Sequence, residues 1–349
     1  MVLLKGNEAI AEAAIRSGCT QYYGYPITPQ NEVIEYMSRR MPEAGGVCVQ
    51  AESEIGAINM VLGAASTGAR VMTTSSSPGV SLKTECISYL VGSDLPCVIM
   101  NMQRGGPGLG GIQPAQSDYY QAVKALGHGD MRIPVLAPNS VQEMMELTAL
   151  AFDLADEYRT PVMLLADGAL GQMMEPVDFD KINWSKNSEK SWAANGHGGK
   201  RRNNIINSLY LMPEDLEAKV HERYENTYKP MESEVRFEEI DTDNADIVIV
   251  SYGISARIAK RAFESLKKDG VKVGFFRLIT LNPFPAARLN KIAESAGKFL
   301  VTELNMGQMI DDVKLAIECR KPVEFFGRTG GVLSTPDEIY NAAMSCLGK

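Results

Sequence analysis

Short apolar runs alternating with helix-length amphipathic segments constrain this chain more than any other feature. PCVIMNM (96–102), PVMLLAD (161–167), ADIVIVSYG (245–253) and VKVGFFRLI (271–279) have strand length and are apolar almost throughout. Strands of that kind are covered on both faces. Between such runs lie segments with helical spacing, closed by Gly or Pro. GNEAIAEAAIRSG (6–18), SVQEMMELTALAFDLADEY (140–158) and SARIAKRAFESLKKDG (255–270) are examples. The alternation predicts an α/β protein with a doubly wound, mostly parallel sheet. At 349 residues the chain is too long for one ordinary core. The pattern divides it into an α/β domain at 1–180, a polar linker and docking segment at 181–236, and a smaller α/β domain at 237–349. The middle segment contains KNSEKSWAANGHGGKRRNN and a helical pattern over 214–229; a purely disordered linker is the alternative reading.

Composition removes several function classes. A formal net charge of -8 argues against general nucleic-acid binding, which uses a basic face. The six cysteines include no CxxC pair, so the chain is not expected to hold an iron–sulfur cluster. The three histidines lack neighbouring ligands, and no metal site is expected. No apolar run approaches the roughly 20 residues that span a bilayer. The start, MVLLKGNEAIAEAAIRSG, turns polar too early to read as a secretion signal. These features lead us to expect a cytoplasmic protein.

Four stretches are candidates for chemistry. GYPITPQNE (24–32) follows a strand and precedes a helix, the ligand-binding edge of an α/β sheet. Two prolines restrict the backbone around Thr28, which offers a hydroxyl; the alternative is a plain turn in which Thr28 or Asn31 caps the helix. QAESEIGAINMVLGAASTG (50–68) places Glu54 beside an apolar helix, where a desolvated carboxylate is able to share a proton with a ligand nitrogen. An interaction with the helix amides remains the structural alternative. TTSSSPGVS (73–81), with Ser76, either contacts a cofactor or satisfies its own backbone. NMQRGGPGLGG (101–111) combines glycines that admit a ligand with Arg104, suited to an anion, although a surface turn explains the glycines equally. His128 with Asp130, Asp167, and Lys200-Arg201-Arg202 are weaker candidates. Met144 and Met145 read as helix core.

YPITP (25–29), QAESEIGAINMVLGA (50–64) and RGGPGLGGIQPAQSD (104–118) together resemble the 2-oxoacid:ferredoxin oxidoreductases. The resemblance covers almost the whole chain and is closest to the thiamine-pyrimidine-binding subunit of the 2-ketoisovalerate (branched-chain 2-oxoacid) branch. It implies a thiamine-diphosphate-enzyme pyrimidine-type domain followed by a transketolase C-terminal-like domain. The implied reaction is CoA-dependent oxidative decarboxylation of a 2-oxoacid, here 2-ketoisovalerate, to acyl-CoA, CO2 and reduced ferredoxin. The same chemistry on 2-oxoglutarate, pyruvate or an aryl pyruvate is the enzymatic alternative. A non-catalytic assembly subunit is the alternative of a different class.

The family likeness also assigns residues. Glu54 looks like the family glutamate that touches N1′ of the aminopyrimidine, where a shared proton favours the imino form that deprotonates the thiazolium. Thr28 matches the threonine near the reacting centre, and Arg104 resembles the arginine that meets the substrate carboxylate. Tyr25, Pro26, Ile27, Pro29 and Ser76 are implied to line the cofactor with Glu54 and Thr28. The family's diphosphate signature has only a weak echo in ADG (166–168). The resemblance therefore implies thiamine diphosphate and Mg2+ at a shared subunit interface, with a separate catalytic subunit holding the diphosphate. CoA is the implied cosubstrate, and [4Fe-4S] clusters are implied on partner chains. Gamma and ferredoxin-like subunits, ferredoxin itself, and a dimer of heteromers complete the implied assembly.

Overall fold

The computed structural model describes residues 1–184 and 189–349. The part of the middle segment at 185–188 lies outside the described residues. Two parallel sheets carry the fold, as the apolar runs predict. The larger has seven strands in the order Thr280–Asn282, Val135–Leu136, Pro161–Asp167, Cys97–Gln103, Val71–Ser75, Gln21–Gly24, Val47–Gln50. All its pairings are parallel except that of Thr280–Asn282 with Val135–Leu136. The smaller sheet orders its strands Val323–Gly327, Lys298–Glu303, Ile247–Tyr252, Val273–Leu278, Phe237–Ile240, with only the last antiparallel.

The central strands Val71–Ser75, Cys97–Gln103 and Pro161–Asp167 are buried at every position, which explains why they lack polar alternation. The helix Val141–Tyr158 covers one face. Ser140 caps it by accepting the Glu143 N–H at 3.1 Å. Met144 and Met145 on this helix are fully buried, in keeping with a core role.

Several elements escaped the sequence pattern. The segment before the helix Val141–Tyr158 holds a strand of only two residues, Val135–Leu136. Two short helices, Ser77–Ser81 and Thr84–Gly92, follow the strand Val71–Ser75. The helical pattern at 214–229 is α-helical over Pro213–Arg223 and then widens into a π turn at Tyr224–Tyr228. An antiparallel pair, Val2–Lys5 with Met174–Val177, and a last helix, Pro336–Cys346, were not anticipated.

The described part of the middle segment lies against the first sheet's helices. The Ala194 N–H donates to Ser66 O at 2.8 Å, Arg159 stacks over Trp192, and Arg223 donates to Asp94 at 3.0 Å. Tyr228 and Met231 are buried.

The two sheets share one hydrophobic cluster, running from Val135 and Met163 to Val250, Phe276 and Leu281. Thr280–Asn282 crosses from the C-terminal region to extend the N-terminal sheet. Gln116 fastens the junction. Its Nε2 donates to Tyr252 O at 2.9 Å, and its Oε1 accepts from Ser255 Oγ at 2.5 Å and Leu304 N at 3.0 Å. Gln116→Ala leaves three buried partners unsatisfied, at about 1–3 kcal/mol each. The expected result is a clear fall in the urea midpoint, with the two sheets no longer unfolding together when followed by separate probes.

Candidate active site

The candidate residues converge at the carboxyl ends of Gln21–Gly24, Val47–Gln50, Val71–Ser75 and Cys97–Gln103, the crevice where open α/β sheets bind ligands. The YPITP turn is braced from below. Asn7 Nδ2 donates to Pro29 O at 2.8 Å and to Glu32 at 2.8 Å, and Gln172 Nε2 donates to the same two residues. Thr28 is half-buried, and its carbonyl accepts from Arg104 at 2.9 Å. Tyr25, Pro26 and Ile27 are half-buried along the turn, while Pro29 is buried.

Glu54 is the first residue of the helix Glu54–Ser66, but it does not cap that helix. Ser53 takes the role by accepting from Gly56 N at 3.0 Å. Glu54 is 7% exposed and makes no hydrogen bond among the described residues. A buried carboxylate without a donor is costly and calls for a ligand. Glu52, by contrast, is exposed and lies over Gly56.

Gly79 gives Glu54 its room. A Cβ built there would sit 2.2 Å from Ser75 Oγ and 2.7 Å from Glu54 Oε1. Gly79→Ala must therefore push the carboxylate aside. The expected result is about a ten-fold weaker affinity for thiamine diphosphate, or about 1.4 kcal/mol, read by cofactor titration of the assembled complex.

Ser75 and Ser76 are fully buried, and their hydroxyls lack partners, as does Arg104 Nε. Four polar groups of the crevice thus lack the hydrogen bonds that burial demands. They fit an aminopyrimidine, a flat ring with donors and acceptors along one edge. Among the described residues no group of three or more His, Cys, Asp or Glu side chains is arranged to hold a metal.

Arg104 joins two loops. Its Nη1 donates to Thr28 O and its Nη2 to Leu109 O at 3.3 Å. The glycine-rich loop is tied by Gly105 N to Gln113 O at 2.9 Å and Gly111 N to Gly105 O at 3.0 Å. Gly110 has φ 57°, and a Cβ there would meet Gly105 O at 1.9 Å, so glycine is needed.

Beneath Arg104 lies a network the sequence did not disclose. Ser77, with a left-handed φ of 23°, donates through Oγ to Asp118 at 2.5 Å, and Asn101 Nδ2 donates to the same carboxylate at 3.0 Å. Burial pushes the Asp118 carboxyl up, while these two donors and Arg104 oppose the shift. Gln30, Thr74 and Lys83 also belong to the buried wall and were missed. Each is an ordinary polar residue until the strand ends are brought together.

The weaker candidates separate from the site. His128 and Asp130 are exposed. Asp167 is buried and caps a short helix by accepting from Ala169 N and Leu170 N; burial raises its pKa to about 7. Lys200, Arg201 and Arg202 are exposed, with Arg201 donating to loop carbonyls.

Solved structures first define the class. This fold is shared with a split-gene transketolase, at a TM-score of 0.61 and 12% identity over 99% of this chain and 98% of that one. A 2-oxoglutarate:ferredoxin oxidoreductase from Magnetococcus marinus, solved with 2-oxoglutarate, coenzyme A and succinyl-CoA bound, matches with a TM-score of 0.88 and 26% identity. That match covers 99% of this chain and 65% of the Magnetococcus chain. The family model described as "Pyruvate flavodoxin/ferredoxin oxidoreductase, thiamine diP-bdg" matches residues 12–242, and "Pyruvate:ferredoxin oxidoreductase core domain II" matches 245–339. The chain belongs to this oxidoreductase family. It is 49% identical to the ketoisovalerate oxidoreductase subunit VorB of Methanothermobacter marburgensis, over 99% of this chain and 98% of that subunit. It is 34% identical to the 2-oxoglutarate synthase subunit KorA of Methanocaldococcus jannaschii, over 98% of both.

Proposed function

We propose that this chain is the pyrimidine-binding subunit of a thiamine-diphosphate-dependent 2-ketoisovalerate:ferredoxin oxidoreductase. The buried, unbonded Glu54 carboxylate beside the unpartnered Ser75 and Ser76 hydroxyls carries the reading. When bound, the cofactor would supply a nucleophilic thiazolium carbon for a 2-oxo group. Glu54 holds a proton toward N1′ of the aminopyrimidine. Ser75 and Ser76 orient the ring, and the YPITP turn around Thr28 closes the edge. Arg104 faces the substrate carboxylate through its free Nε edge.

The remaining parts come from other chains. A diphosphate-binding subunit supplies the Mg2+ site and at least one cluster; Ile55 and Met60 are apolar and exposed on the Glu54 helix. Gamma and ferredoxin-like subunits extend the electron path, and the whole is a cytoplasmic dimer of heteromers. Residues 1–180, 181–236 and 237–349 act as the pyrimidine domain, the docking segment and the transketolase C-terminal-like domain. The likeness to VorB favours 2-ketoisovalerate over 2-oxoglutarate as substrate.

The test is CoA-dependent ferredoxin reduction by the intact complex with 2-ketoisovalerate, pyruvate, 2-oxoglutarate and phenylpyruvate. The expected result is the highest kcat/KM with 2-ketoisovalerate. Preference for another acid replaces the substrate and keeps the chemistry. No turnover of any acid, by a complex loaded with cofactor and clusters, overturns the assignment in favour of an assembly role.

A further inference from the structure

Arg104 lies one residue past the last rung between Cys97–Gln103 and Pro161–Asp167, the pairing of Gln103 with Asp167. Its main-chain N–H donates instead to a side chain, Ser77 Oγ, at 3.0 Å. That hydroxyl has one proton and two acceptors in reach, Asp118 Oδ2 at 2.5 Å and Arg104 O at 3.3 Å. The carboxylate is both closer and charged, so it takes the proton. A hydrogen-bonded chain results, from Arg104 N–H through the Ser77 hydroxyl to Asp118. A charged acceptor at its end strengthens the bond before it.

Further bonds close the network. Asp118 Oδ2 also accepts from Asn101 Nδ2 at 3.0 Å, and Asn101 Oδ1 accepts from Ser77 N at 3.0 Å. The Asp118 main-chain N–H donates to Gln103 Oε1 at 3.1 Å. Ser77, Asn101 and Gln103 are buried, and Asp118 is half-buried. Ser77 keeps a left-handed φ of 23°, a conformation that persists in a non-glycine residue when its surroundings fix it. Asp118 stands at the start of the helix Tyr119–Val123, yet its side chain makes no cap bond there. The carboxylate is turned toward Ser77 and Asn101 instead, so a helix-capping role does not account for it.

We propose that Asp118 is a positioning residue for Arg104: through the Ser77 hydroxyl it fixes the main chain from which the arginine reaches the 2-oxoacid carboxylate. The inference rests on the substrate role of Arg104 argued above. Asp118 acts through Ser77 and Arg104. Its two side-chain bonds both fall on one oxygen, Oδ2. An asparagine oxygen in the same place can accept both, whereas alanine accepts neither. Asn101 Oδ1 still receives Ser77 N in every variant, so Ser76 beside it stays placed.

The experiment compares assembled complexes carrying Asp118→Ala, Asp118→Asn, Ser77→Ala, Arg104→Lys, or Arg104→Lys with Asp118→Ala. It measures kcat and KM for the preferred 2-oxoacid in CoA-dependent ferredoxin reduction, and thiamine diphosphate affinity on the same preparations. Asp118→Ala and Ser77→Ala are each expected to raise KM about ten-fold, with kcat and cofactor affinity nearly unchanged. Asp118→Asn should stay within about three-fold of wild type, because both bonds survive. In the Arg104→Lys background, Asp118→Ala should add almost nothing, since the group it positions is gone. A full, multiplying effect in that background overturns the inference and leaves the role of Arg104 standing. So does an Asp118→Asn variant as impaired as Asp118→Ala, which makes the charge itself the functional element. An equal loss of cofactor affinity marks Asp118 as general scaffold and also overturns it. A wild-type KM in Arg104→Lys sinks the substrate reading of Arg104 and the inference with it. Ser77→Ala removes a single hydroxyl and provides the same comparison, alone and with Arg104→Lys, if Asp118→Ala does not assemble.

Discussion

Glu54→Gln is expected to lower 2-oxoacid turnover of the assembled complex by about 10²–10⁴-fold, the range of one positioned acid–base group. Stability should barely change, and the structure gives the reason. Glu54 makes no hydrogen bond among the described residues, and Ser53, not Glu54, caps the helix. The amide has the same shape and removes a buried charge, so folding loses no contact. Only the capacity to hold and release a proton at that point is removed. Turnover is read as ferredoxin reduction, and stability as the denaturation midpoint of the same preparation. Near-wild-type turnover in a correctly loaded complex removes Glu54 from the chemistry. A collapse of stability in step with activity assigns it to the scaffold instead.

The ease of locating Glu54 in the sequence has a physical basis. Parallel sheets need buried strands, and buried strands are apolar runs that stand out. The runs at 96–102, 161–167, 245–253 and 271–279 became Cys97–Gln103, Pro161–Asp167, Ile247–Tyr252 and Val273–Leu278. The crevice lies at the ends of such strands, so polar residues just beyond them are placed by chain direction alone. Thr28, Glu54, Ser76 and Arg104 all follow that rule. Edge elements carried no comparable signal. Val2–Lys5, Phe237–Ile240 and Thr280–Asn282 are short and held by their pairing, so their own composition says little.

Polar residues of the wall were hidden for a different reason. Lys83 sits in GVSLKTEC, where a lysine just before Thr84 and Glu85 reads as solvent-facing. It is buried because the helix Thr84–Gly92 begins just after it and turns its side chain toward Thr73 and Thr74. Asp118 and Gln116 likewise lie in one short stretch, QPAQSD. Asp118 looks inward to Ser77 and Asn101, and Gln116 bridges to Tyr252, Ser255 and Leu304, more than a hundred residues away. Partners at that separation leave no local pattern to read.

The second large effect belongs to Arg104. Substituting lysine keeps the charge but removes the planar fork, and the fork is what this position uses. Two of its nitrogens hold Thr28 O and Leu109 O, which leaves the Nε edge buried and unpartnered. The side chain therefore ties the YPITP turn to the glycine-rich loop while its Nε–H stays without a partner. Truncating one member of a buried, hydrogen-bonded charged contact costs about 2–5 kcal/mol. For Arg104→Lys the expected result is a loss of kcat/KM for the 2-oxoacid of about 10²-fold or more, carried mainly by KM. Affinity for thiamine diphosphate should fall far less, because Glu54, Ser75 and Ser76 remain in place. The split between the two ligands is the informative measurement. A matching loss of cofactor affinity identifies Arg104 as a strut between loops. A loss confined to the 2-oxoacid identifies its Nε edge as the group that meets the substrate carboxylate.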